Sequence, residues 1–94
     1  MGKYSINKLP SDILLSTAKN VVTLRKNHNW TQQDLANKSG VSYGSIKRFE
    51  RLGQISFESL LKIIESLGRL SDFETLLQPN ENENRLKQLF KSHK

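Results

Sequence analysis

The stretch from Thr31 to Glu50, TQQDLANKSGVSYGSIKRFE, constrains this chain more than any other, because it reads as two short helices joined by a tight turn. Leu35 and Ala36 face inward on the first helix. Gly40 supplies the turn, where a residue without Cβ reaches a positive φ at little cost. Val41 then fills the corner and Ser42 caps the next helix, while Ile46 and Phe49 give that helix an apolar stripe at i, i+3 spacing. Tyr43, Gly44, Ser45, Lys47 and Arg48 are left pointing outward.

A helix with a small, hydrogen-bonding, basic outer face and an apolar inner face has what is needed to lie in a DNA major groove and touch base edges. The bland alternative is an ordinary helical hairpin with a glycine turn. Against it stands a resemblance over roughly residues 21–67 to the lambda-repressor-like helix-turn-helix family, also called the Cro or xenobiotic-response-element type. Thr31-Gln32 stands where that family carries its Thr-Gln pair. Leu35-Ala36, Gly40-Val41-Ser42, Ile46 and Glu50 fall at the family's intervals, and Arg25 takes the place of the arginine that pairs with the recognition-helix glutamate, here Glu50.

The resemblance implies an all-α, compact five-helix DNA-binding domain whose recognition helix runs from about Ser42 to Arg51. Aligned with the family's base readers are Tyr43, Gly44, Lys47 and Arg48. Arg48 is the strongest candidate for a bidentate bond to guanine O6 and N7, since its planar fork matches those two acceptors. Tyr43 suits a thymine methyl or a phosphate, and Gly44 allows close backbone approach. The bland reading of Lys47 and Arg48 is a solvated basic face. Phosphate contacts fall to Gln32, Lys38, Ser42 and Ser45, which hold register without carrying sequence information directly. Arg25 and Glu50 are expected to form a partly buried ion pair tying the first helix to the end of the recognition helix. The turn after that helix, Leu52-Gly53-Gln54-Ile55, is about one residue shorter than the commonest family pattern and lacks its proline, so the family's phosphate contacts in this loop are not carried over.

Charge agrees with a polyanionic partner. The formal net charge is +6 over 94 residues, and it is unevenly spread. Residues 1–30 set Lys3, Lys8, Lys19, Arg25 and Lys26 against Asp12 alone, and residues 31–55 set Lys38, Lys47, Arg48 and Arg51 against Asp34 and Glu50. Residues 56–78 reverse the sign, with Glu58, Glu65, Asp72 and Glu74 against Lys62 and Arg69, and the tail is basic again. Excess lysine alone often only keeps a protein soluble, but coupled to a helix-turn-helix it becomes the electrostatic footprint of a DNA binder.

Other classes are disfavoured. The chain has no cysteine, which excludes disulfide staples and thiolate metal sites. His28 and His93 are isolated, no glycine-rich phosphate loop or nucleophile with a nearby base is present, and the sequence points to no enzyme, metal or cofactor. No run approaches the roughly 20 apolar residues of a membrane span, no signal-peptide pattern appears, and Ile6 breaks the myristoylation pattern. A cytoplasmic protein is expected.

Along the chain, residues 1–10 read as an arm and residues 11–78 as the DNA-binding domain. Pro10 and Ser11 mark a helix start with Asp12 in the first turn, and Leu14, Ala18, Val21, Val22 and Arg25 keep one side of that helix in the core as far as Asn27 or His28. Asn29 is the expected left-handed stop. Trp30 either covers the gap between the first helix and the motif or stacks on a base. Ser56 caps a fourth helix bearing Phe57, Leu60, Leu61, Ile64 and Leu67, ended by Gly68. Ser71-Asp72 open a fifth carrying Leu70, Phe73, Leu76 and Leu77. Residues 79–94 form a polar tail in which Leu86, Leu89 and Phe90 allow an amphipathic turn or two.

Two readings of function follow. In one, the protein is a repressor that dimerises and reads two half-sites of a palindromic double-stranded operator. In the other, it is an antitoxin that neutralises a toxin and represses its own operon, since residues 57–77 look similar to antitoxins partnered with kinase-like toxins of the HipA type. Phe73, Leu76 and Leu77 are the candidate surface for a second copy or for the toxin.

Overall fold

The computed structural model describes residues 8–79, which form four α-helices and one 3-10 turn. They are α1 (Pro10–Asn27), α2 (Gln32–Ser39), α3 (Tyr43–Leu52) and α4 (Phe57–Ser66), followed by the turn at Leu70–Phe73. Most of the expected arm and tail, with Leu86, Leu89, Phe90 and His93, lies outside the described residues.

Each helix starts where a side chain takes up an orphan amide. Thr31 Oγ1 accepts from the Asp34 amide at 3.0 Å while Asp34 Oδ2 accepts from the Thr31 amide at 2.8 Å, a reciprocal cap. Donation from the Thr31 amide, and after it from the Thr31 hydroxyl, holds the Asp34 carboxyl below its ordinary value. Ser42 and Ser56 cap α3 and α4 through the amides of Ser45 and Ser59. Leu9 has no oxygen to offer α1, so the bond runs backwards, from the Leu9 amide to the Asp12 carboxylate at 2.9 Å. Asn29 at φ 60° ends α1 in the left-handed region and Gly40 at φ 79° ends α2, both as expected.

Helix α1 packs on α3, and α2 packs on both α3 and α4. The core they enclose is Ala18, Val21, Leu35, Ala36, Val41, Ile46, Phe49, Ile63, Ile64 and Leu67. Trp30, half-buried, leans on this core and stacks on His28 at 4.4 Å between ring centroids, so it covers the gap between α1 and the motif.

Three expectations need correction. The fifth helix is a single 3-10 turn, entered through Gly68 at φ 74° and closed by Phe73 stacking on Phe57, and the described residues therefore hold four α-helices rather than five. Leu14 is 44% exposed instead of buried, because it lines an open apolar groove with Phe49, Ile55, Phe57 and Phe73 that nothing in the described residues fills. On α4 the inward side is centred on Ile63, fully buried, and Ile64, while Phe57 is more than half exposed at the helix start.

Gly53 is required twice over. Its φ is +76°, and a Cβ there would lie 2.9 Å from the Leu14 carbonyl carbon, closer than neighbouring backbone tolerates.

Arg25 carries a buried charge, and its Nε and Nη2 donate to Glu50 Oε2 and Oε1 at 2.7 and 2.9 Å while Nη1 donates to the Trp30 carbonyl at 2.8 Å. The two side chains are 10% and 6% exposed. Removing one partner strands the other charge, so Arg25→Ala and Glu50→Ala should each lose about 3–5 kcal/mol. In urea titrations the double variant is expected to lose less than the sum of the two, as groups in direct contact do; strictly additive losses would show that no coupling exists.

Candidate nucleic-acid interface

Helix α3 divides its residues sharply between two sides. Ile46 and Phe49 are buried to within 1%, whereas Tyr43, Gly44, Ser45, Lys47 and Arg48 are all exposed. The four expected base readers thus share the outer face of one helix. No Cβ contact within 4 Å would meet a side chain at Gly44, so the opening there faces free space.

The exposed side chains are held by their neighbours. Lys47 Nζ lies 4.4 Å from the centre of the Tyr43 ring, a cation–π contact one helical turn apart. Arg48 donates from Nε and Nη2 to Gln54 Oε1 at 3.1 and 2.7 Å. Ser42 and Ser45 form a unit: Ser42 Oγ accepts from the Ser45 amide and shares a hydrogen bond with Ser45 Oγ at 2.8 Å.

Gln32, the first residue of α2, reaches α3 at the opposite end. Its Nε2 donates to Glu50 Oε1 at 2.8 Å, so the carboxylate that binds Arg25 also fixes Gln32. One amide proton and the amide oxygen of Gln32 stay unused by that bond. Gln32 lines an open cleft with Lys26, Lys47 and Arg51. Lys26 and Arg51 were not singled out from the sequence; their only signal there is charge, and it is the packing of α1 on α3 that sets them beside Gln32. A second open cleft is lined by Ser45, Arg48, Gln54, Ser56 and Ser59.

Lys38 stands apart from the other seven residues expected to meet DNA. It lies in the last turn of α2 with Nζ 4.9 Å from the Trp30 ring centre. Of the three residues expected at a protein interface, Phe73 is half-buried and stacked on Phe57 at 6.0 Å, while Leu76 and Leu77 are 50% and 91% exposed. Among the described residues no helix is long and apolar enough to cross a membrane.

No curated protein and no solved structure matches the chain. The sequence profile of the helix-turn-helix family matches residues 22–73, more than half of the 94 residues and the span from the last turns of α1 to the 3-10 turn. The chain belongs to the helix-turn-helix family, of the lambda-repressor and Cro-like kind, and is a DNA-binding regulator.

Proposed function

We propose that this protein is a sequence-specific repressor that binds a palindromic double-stranded operator as a two-fold dimer in the cytoplasm. The observation that carries this reading is the outer face of α3, where five exposed hydrogen-bonding, basic or side-chain-free residues stand opposite two fully buried anchors. Arg48 reads a guanine through its end-on nitrogens, Lys47 and Tyr43 reach neighbouring base edges, and Gly44 lets the backbone come close. Gln32, Ser42 and Ser45 hold phosphates beside them, and Lys38 contributes charge from the flank.

One helix-turn-helix contacts few base pairs, so genomic specificity calls for two copies at a fixed spacing. Leu76 and Leu77 support that assembly, because both expose large apolar side chains just after the fold closes. The same two residues support the alternative, an antitoxin that covers them with a kinase-like toxin.

Selection from a random duplex pool should return a palindromic sequence. Binding to it should exceed binding to unselected duplex by at least about a thousand-fold, and should weaken about a thousand-fold between roughly 50 and 200 mM salt. Equal affinity for both duplexes would remove the reading. Within the selected site, Arg48→Ala should cost about 1–3 kcal/mol of discrimination at one base pair, while Gln32→Ala should weaken all sequences alike; identical profiles would refute these roles. In sedimentation runs Leu76→Asp with Leu77→Asp should yield a folded monomer of reduced operator affinity, and an unchanged dimer would move the interface elsewhere.

A further inference from the structure

Gln54 lies outside the recognition helix and carries no role in the reading above, yet the turn that presents it is among the most constrained in the molecule. Helix α3 ends at Leu52, and Gly53 turns the chain in the left-handed region while pressed against the Leu14 backbone of α1. Ile55, half-buried against the core, pins the other side of the turn. Gln54 is therefore mounted between two fixed residues and returns its side chain to Arg48, six positions earlier. Its Oε1 takes both protons on one edge of the guanidinium, from Nε at 3.1 Å and Nη2 at 2.7 Å.

A guanidinium has two edges that offer paired donors, the side edge of Nε with Nη2 and the end edge of Nη1 with Nη2. Gln54 occupies the side edge. The end edge, with Nη1 and the second proton of Nη2, stays open and suits the O6 and N7 acceptors of guanine. A long exposed arginine otherwise spreads over many rotamers, and fixing it before contact removes part of the entropic cost of binding.

We propose that Gln54 is the positioning residue for Arg48, setting the plane of its guanidinium so that the end edge meets one guanine. This rests on Arg48 as the guanine reader. Specificity at one base pair would then depend on a residue that touches no base.

The test measures affinities for the selected operator and for duplexes altered at single base pairs, using the full-length protein and Gln54→Ala, Gln54→Glu, Arg48→Ala and the Arg48→Ala/Gln54→Ala double variant. Gln54 is exposed, and thermal melts should confirm that all four variants fold. Gln54→Ala should lower the guanine preference at the Arg48-dependent base pair roughly 2- to 10-fold, the range of a net side-chain hydrogen bond, with other base pairs unaffected. Gln54→Glu, which keeps an acceptor for the same edge, should retain the preference even if its charge weakens all duplexes equally. In the Arg48→Ala background, Gln54→Ala should change no preference. An equal loss at every base pair, or a further loss of preference without Arg48, would overturn the proposal by placing Gln54 on the DNA itself. A guanine preference that survives Arg48→Ala would overturn it differently, because that single variant removes the guanine-reader assignment whatever Gln54 does.

Discussion

The fold depends on one buried guanidinium. Arg25 on α1 cannot be left in the apolar interior without partners, since an unpaired buried charge costs several kcal/mol. Every nitrogen of its fork is used: two bind the Glu50 carboxylate at the end of α3, and the third binds the Trp30 carbonyl in the connection to α2. The bidentate geometry fixes direction as well as distance. Glu50 Oε1 also accepts from Gln32 at the start of α2. One ion pair thus sets α1, α2 and α3 relative to one another, and so fixes which side of α3 is turned outward.

That arrangement links folding to the interface. Gln32 is at once a partner of the buried carboxylate and a neighbour of Lys26, Lys47 and Arg51 around an open cleft. A phosphate approaching the free part of its amide would therefore meet a group already oriented from inside the protein. At the other end of α3 the Ser42 and Ser45 hydroxyls are held together by the cap of the helix.

Much of this was legible in the sequence wherever the cause is local. Thr31, Ser42 and Ser56 cap the helices they precede, and Asn29 and Gly40 take left-handed conformations, because each answers to residues no more than a few positions away. The Arg25–Glu50 pair spans twenty-five positions, and only the family resemblance pointed to it. Where the cause is tertiary, sequence periodicity misleads. Leu14 has the spacing of a core residue but lines an open apolar groove with Phe49, Ile55 and Phe57, which periodicity alone does not foresee. Ile63 was missed because four apolar neighbours on α4 fit the helical period equally well, and only the packing of α2 on α4 decides among them. The expected fifth helix failed for a related reason: its apolar residues satisfy a helical period, but Phe73 reaches Phe57 from a single 3-10 turn and needs no further length.

Arg25 and Arg48 show how burial assigns different work to the same chemical group. Both present the Nε and Nη2 edge to an oxygen acceptor on another part of the chain. Inside the protein Glu50 supplies a full negative charge, and the remaining nitrogen of Arg25 is bonded to a carbonyl, as desolvation requires. At the surface Gln54 supplies only a neutral oxygen, enough to orient Arg48 without neutralising it. Its positive charge and its second edge thus remain available to DNA. A carboxylate in the place of Gln54 would hold the arginine at least as firmly but would cancel the charge that draws it to a polyanion. On the proposed reading, a neutral acceptor outside the helix and a charged one beneath it separate the arginine assigned to a base from the one that builds the fold.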